Sequence, residues 1–197
     1  MKETLLRNDL IEIEKQIWLL LQQSVKIAKS AFHQAYVATI NNNFPEQRTV
    51  VLRNINIDEK KLRFHTDIRS EKIEHLRNNS SLSWLFYDAE LKLQLRIYAK
   101  AEIHYKDDIA DIAWNNSRLA SKMCYTTQAK SGSIISEPEV IDVNQKDIDP
   151  ELLDFARNNF CVVETKAFAM DFVFLNAKGN KRGYFDYSTR EFQWRQI

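Results

Sequence analysis

The sequence predicts a mainly β fold with helices (α+β), an antiparallel barrel flanked by helical segments. Two observations carry this. Segments of β-branched and aromatic residues follow one another from Ala35 to His104 and again from Phe160 to the end, with short turns between most of them. Parallel strands need long crossovers, so such turns favour a barrel over a doubly wound sheet. Helical periodicity is confined to a few stretches, for a total of about seven or eight strands and three or four helices.

The first helix is expected over about 9–29. Asp9 is its N-cap and Glu12 the capping-box partner. Ile13, Ile17, Leu20, Leu21, Val25 and Ala28 recur at helical spacing. Trp18 and Leu19 widen the apolar face, so this helix packs on more than one side, a partner subunit being one option. Strands are expected over 35–40, 47–54 and 61–66, with turns at Asn41-Asn42-Asn43 and Asp58-Glu59-Lys60. Ser70 caps a short helix through Arg77, stopped by Asn78-Asn79. Strands over 82–87 and 91–104 meet at Asp88-Ala89-Glu90. Asp107 opens a second substantial helix, with Ile109, Ile112, Ala113 and Leu119 on its buried side. Residues 122–144 give mixed signals and read as loop with short helical turns. Asp149-Pro150 starts a helix to about Asn159, with Pro at its first position. Strands follow over 160–165, 167–175, 183–187 and 192–197, with a turn at Lys178-Gly179-Asn180. The whole chain, 1–197, is expected to be one domain, with the barrel over about 35–197.

Composition narrows the function. A 44% hydrophobic and 11% aromatic content is that of a folded protein. The 28 basic and 27 acidic residues leave a net charge of +1, so no global field favours nucleic acid or a membrane surface. No apolar run reaches the roughly 18 residues of a membrane span. Cys124 and Cys161 lack a CxxC spacing and read as reduced thiols, and the N-terminus shows no cleavage-like motif, so a cytoplasmic protein is expected. His33, His65, His75 and His104 show no metal-ligand spacing, and no metal site is expected. There is no Ser-His-Asp context or paired-carboxylate signature. None of Gly132, Gly179 and Gly183 stands in a nucleotide-binding loop, so any phosphate is held by side chains or a helix end.

The stretch 48–96 supplies such groups. Lys72 lies in the first turn of the helix that follows Ser70, where free amides and the dipole favour an anion. Taken singly, Ser70 is an ordinary cap and Lys72 a solvated lysine; with Thr66 at the preceding strand end they equally fit an anion site. Arg48 and Arg53 are five residues apart, so in a regular strand they point to opposite faces, and without a bulge or a strand end they are surface residues flanking Val50, Val51 and Leu52. Gln94 and Arg96 share a face of their strand. A glutamine amide suits the edge of a heterocycle, or simply faces solvent.

The order of these pieces resembles the pyridoxamine 5′-phosphate oxidase family, the FMN-binding split barrels, most clearly over about 35–128. Arg48 to Arg53 is similar to the family's Arg-x-Val-x-Leu-Lys strand, His65-Thr66 to its Tyr-Thr strand end, Ser70-Glu71-Lys72 to its Ser-Arg-Lys helix start, and Leu93-Gln94-Leu95-Arg96 to its Arg-Gln-Val-Arg strand. The resemblance implies an FMN-dependent oxidoreductase in which hydride passes from a small substrate to FMN. It implies a homodimer with FMN at the subunit interface. Arg48, Arg53, Ser70 and Lys72 would hold the phosphate and ribityl region, with Val50 and Val51 on the same strand. His65, Thr66 and Gln94 would lie at the flavin and its chain, and Gln128 would reach it from the partner. Trp114 to Arg118 resembles the family's Tyr-Phe-His-Ser-Arg segment, so Trp114 and Arg118 would bind substrate, Arg118 through a phosphate. Glu71 departs from a basic position and would weaken FMN binding. The family's C-terminal Arg-Leu-His motif is absent from Lys181-Arg182-Gly183-Tyr184, which puts B6-phosphate oxidation in doubt and leaves a non-catalytic flavin carrier or sensor as the alternative.

Overall fold

The computed structural model describes residues 1–142, 148–177 and 179–197. Its strands form one antiparallel sheet in the order β2-β1-β5-β6-β7-β4-β3, with β8 on β7 and β9 on β8. These are β1 (Gln34–Asn41), β2 (Phe44–Val51), β3 (Asn54–Asn56), β4 (Lys61–Asp67), β5 (Ser81–Asp88), β6 (Leu93–His104), β7 (Phe160–Phe174), β8 (Lys181–Asp186) and β9 (Glu191–Trp194). β2 comes back against β4, which closes the barrel. One edge of β7 pairs with β6. Its other edge is shared, β4 taking residues 160–166 and β8 taking residues 169–174. Alternation fills the interior: Leu62, Phe64, Trp84, Phe86, Leu95, Ile97, Val163 and Phe172 are all fully buried. Trp84 Nε1 donates to Thr165 Oγ1 at 3.1 Å, and that hydroxyl donates to Leu62 O at 3.0 Å, so these buried polar groups are satisfied.

The helices are α1 (Lys2–Leu6), α2 (Leu10–Ser24), α3 (Glu71–Asn78), α4 (Asp108–Asn115), α5 (Leu119–Met123) and α6 (Pro150–Asn159). Asp9 caps α2 as expected, accepting from Glu12 N at 3.0 Å. α2 stops at Ser24, five residues short of the expected end, because His33 Nδ1 bonds Ser24 O at 2.9 Å and the next amides make only three-residue turns. The widened face meets this chain itself: Trp18 Nε1 donates to Tyr187 OH at 2.9 Å.

Three boundaries differ from expectation for physical reasons. β2 starts at Phe44, since Asn42 and Asn43 take positive φ and turn the chain directly into a hairpin. Pro45 is tolerated because β2 is an edge strand. β2 ends at Val51: Leu52 N still reaches His33 O on the β1 side, but Arg53 N crosses to Arg63 O on β4. The two strands expected over 160–175 are one. Tyr98 pairs with Ala169 and Ala99 with Ala167, so Phe168 is an extra residue bulged out of a continuous strand. Lys178 in the expected turn, and Val143 and Asn144 at the end of the expected loop, lie outside the described residues.

Candidate functional site

The β1–β2 register sets Arg48 opposite Val37 and Glu46 opposite Thr39. Arg48 Nη1 donates to Thr39 Oγ1 at 2.6 Å and to Glu46 O at 2.8 Å. Thr39 is fully buried, and its hydroxyl also bonds His75 Nδ1 on α3 at 3.1 Å. One turn earlier on that helix, Lys72 Nζ donates to Thr66 Oγ1 at 3.0 Å. Burial, and next the Arg48 charge, push the Lys72 ammonium below its ordinary range. Burial also lowers Arg48, against the pull of Glu46 and then Glu71. Among the described residues no carboxylate forms an ion pair with Lys72.

Ser70 was expected to cap α3 with its side chain. Instead Ser70 Oγ donates to Asp67 O at 2.7 Å and lies 3.5 Å from Thr66 Oγ1, so the first amides of α3 have no side-chain acceptor. Two half-buried cations, two hydroxyls and an uncapped helix start therefore converge. Glu71 adds a nearby negative charge. Its carboxylate faces the 124–142 loop, where a Cβ on Gly132 would stand 3.1 Å from Glu71 Oε1.

Alternation on β4 turns Thr66 inward and Arg63 and His65 to the opposite face. There Arg53, Arg63, His65, Arg118, Lys26 and His33 line a cavity of about 640 Å³. Burial, and then the Arg53 and Arg63 charges, push His65 down to about 4, so it is neutral at pH 7. The odd spacing of Arg48 and Arg53 thus resolves into two sites, because the strand ends between them. The structure brings Arg48, Thr66, Ser70 and Lys72 together, and separately Arg53, His65 and Arg118.

The other expected site residues take part in neither set of contacts. Val50 is in the core and Val51 is half-buried on the other face of β2. Gln94 is half-buried between Tyr87 and Val173. Trp114 packs on Phe160 at 5.3 Å between ring centroids, in a small cluster with Ala156 and Val162. Gln128 is exposed, and its carbonyl accepts from Arg69 Nη1 at 3.0 Å. Thr39, His75 and Arg63 were missed. Thr39 could have been found as a hydroxyl on the apolar parity of Ala35 and Val37, and His75 as the i+3 neighbour of Lys72.

Asp171 is buried, forms an ion pair with Arg96 Nη2 at 3.1 Å and accepts from Arg182 Nη2 at 2.8 Å. Lys181 Nζ donates to Leu6 O, Arg7 O and Asn8 Oδ1 at 2.7, 2.9 and 3.0 Å. A Cβ on Gly183 would meet Phe172 Cε1 at 2.3 Å and Leu10 Cδ2 at 2.8 Å. Lys181 and Gly183 therefore pack against this chain's own N-terminal segment.

Residues 15–105 match the family model described as pyridoxamine 5′-phosphate oxidase, FMN-binding domain, a span that contains Arg48, Thr66, Ser70, Lys72 and Gln94. A curated relative, pyridoxine/pyridoxamine 5′-phosphate oxidase 2 of Arabidopsis thaliana, is 28% identical over 163 residues, 78% of this chain and 79% of that protein. Over residues 15–105 the chain is similar to the FMN-binding domain of the pyridoxamine 5′-phosphate oxidase family. A pyridoxine/pyridoxamine 5′-phosphate oxidase of an Enterobacter species is 43% identical, over 34% of this chain and 30% of its own length. Two solved structures share the split-barrel fold. One is a pyridoxamine 5′-phosphate oxidase-related, FMN-binding protein of Nostoc punctiforme, with TM-score 0.66, 20% identity and coverage of 93% of this chain and 94% of that one. The other is PhzG of Burkholderia lata in complex with tetrahydrophenazine-1-carboxylic acid, with TM-score 0.66, 15% identity and coverage of 98% and 93%. The residues present fit the phosphate end of FMN: Arg48 and Lys72 supply charge, Thr66 and Ser70 supply hydroxyls, and α3 supplies amides.

Proposed function

We propose that the whole chain, 1–197, is an FMN-dependent oxidoreductase that works as a homodimer on a small anionic substrate. The observation that carries this is Lys72, a half-buried ammonium beside Arg48 with no carboxylate partner among the described residues. Arg48 pairs with Glu46 Oε2 at 3.5 Å, so it is the unpaired Lys72 ammonium beside it that suits a phosphate. When bound, FMN supplies two-electron redox chemistry, taking a hydride from a substrate carbon and passing electrons to an acceptor.

This chain's residues bind and orient. Arg48, Lys72, Thr66 and Ser70 hold the cofactor phosphate. Arg53, Arg63 and Arg118 give the neighbouring cavity its positive charge and select a phosphate or carboxylate. Neutral His65 offers that cavity a hydrogen bond without adding charge. The homodimer reading is supported by exposed Tyr36 and Tyr87 on the outer face of β1 and β5, near Thr49. Cys124 and Cys161 are both free thiols, in keeping with a cytoplasmic setting. Among the described residues no helix is long and apolar enough to cross a membrane.

The second reading is a flavin carrier or sensor without turnover, favoured by the commitment of Lys181 and Gly183 to packing. The visible spectrum of the purified protein, followed by identification of what denaturation releases, tests the cofactor. Sedimentation tests the dimer. Reduction of the bound flavin by pyridoxine or pyridoxamine 5′-phosphate separates the readings: bleaching supports the B6 oxidase. A yellow protein inert to these and to a panel of small carboxylate and phosphate donors refutes the enzyme.

A further inference from the structure

β6 and β7 pair so that Glu102 lies opposite Glu164 and His104 opposite Val162. One ligand atom from each of Glu102, His104 and Glu164 lies within 4.8 Å of the others. His104 is only 8% exposed, and its Nδ1 is 3.0 Å from Asp107 Oδ2. Asp107 is itself fixed at the start of α4, where Oδ1 accepts from Ala110 N at 2.9 Å. A carboxylate only accepts, so Nδ1 carries the hydrogen, which leaves Nε2 as the ring position open to a ligand. That Nε2 is buried without a hydrogen-bond partner among the described residues, and Glu102 Oε2 is 3.9 Å away. A buried ring nitrogen without a partner, facing two carboxylates, is a place where a shared cation would satisfy all three groups.

The surrounding charges point the same way. Lys61 bridges Glu59 and Glu164, at 3.0 and 2.9 Å, and Arg63 pairs with Glu164. With Glu102 and Asp107, the cluster is rich in carboxylate oxygens around one buried imidazole. We propose that Glu102, His104 and Glu164 bind a divalent transition-metal ion of the Zn²⁺ type, with Asp107 orienting the imidazole. One imidazole and two carboxylates form a borderline donor set that suits such an ion. A carboxylate on the far ring nitrogen is the usual arrangement behind a metal-bound histidine. Glu164 and His104 are buried and positioned by the sheet, while the Glu102 side chain is 74% exposed and free to swing onto the ion. The linear spacing of the histidines hides this site, because its donors come together only through the β6–β7 register. The ion would tie β6, β7 and the start of α4 together. It would also compete with Arg63 for Glu164, and Arg63 lines the cavity described above.

The full-length protein, with whatever cofactor it carries, is stripped with chelator and titrated with ZnCl₂ by calorimetry. Bound zinc is counted by elemental analysis. One Zn²⁺ per chain is expected, with affinity falling at least about tenfold in both His104→Ala and Glu102→Ala. Zinc should raise the melting temperature of the parent protein and not of the variants. Glu102→Ala alters an exposed side chain and keeps the test valid if His104→Ala does not fold. No uptake by the parent, or uptake at parental affinity in either folded variant, overturns the proposal and leaves His104 as a structural histidine held by Asp107.

Discussion

Replacing Lys72 by Met keeps the apolar stem and removes the charge. In the bound state this deletes a charge-assisted hydrogen bond to phosphate, worth about 1.5–3 kcal/mol, so FMN should bind about 10- to 150-fold more weakly. In the free protein the sign reverses. The folded pKa of Lys72 is depressed by burial and by Arg48, so the native state holds this proton less tightly than the unfolded chain. Its charge therefore costs stability at neutral pH, and the cost fades as pH rises towards the ordinary lysine value. Lys72→Met should thus leave the flavin-free protein as stable as the parent or more so at pH 7, with the difference shrinking at alkaline pH. Flavin fluorescence quenching measures affinity, and urea denaturation of the flavin-free protein measures stability. Unchanged FMN affinity would place the phosphate elsewhere. A large loss of stability without ligand would make Lys72 a structural residue held by Thr66, and the reasoning from an unpartnered cation would fail.

Three further outcomes follow from the same structure. Glu71→Gln should tighten FMN binding severalfold, because it removes a negative charge beside the phosphate site, read by the same fluorescence titration. His65 has a folded pKa of about 4 against 6.5 unfolded, so its stabilising neutrality is fully present above pH 6.5 and is lost as pH falls towards 4. His65→Phe should make stability flatter across that window by up to about 3 kcal/mol, measured by denaturation at several pH values. Gly183→Ala should cost about 1–3 kcal/mol in urea denaturation, because its methyl would sit inside contact distance of Phe172 and Leu10.

The mainly antiparallel barrel was legible because its signals are local. Alternating segments, asparagine turns and the Asp9 and Asp149 caps all fall where the chain uses them. The phosphate cluster was legible in part, since Thr66, Ser70 and Lys72 lie within seven consecutive residues. What stayed hidden depends on register. Thr39 meets Arg48 only through the β1–β2 hairpin, and Arg63 meets Arg53 only because β2 stops at Val51. The end of α2 was overestimated because apolar periodicity continues to Ala28, while His33, nine residues beyond Ser24, takes the carbonyl that would extend it. The bulge at Phe168 leaves no local mark, because an unbroken strand and two short ones carry the same composition.

The shared edge of β7 also fixes when the protein can become itself during synthesis. The β1–β2 and β5–β6 hairpins join near neighbours and can form early. β4 has no such partner on its β7 side until the last quarter of the chain has been made, as Arg63 and Glu164 pair across 101 residues. Closing so long a loop is slow, and until it closes β4 leaves the ribosome with an open edge. The nascent chain therefore passes through an interval in which Leu62 and Phe64, later sealed in the interior, are exposed to other chains. Slow translation would lengthen that interval, and it is the stage at which a chaperone has most to hold.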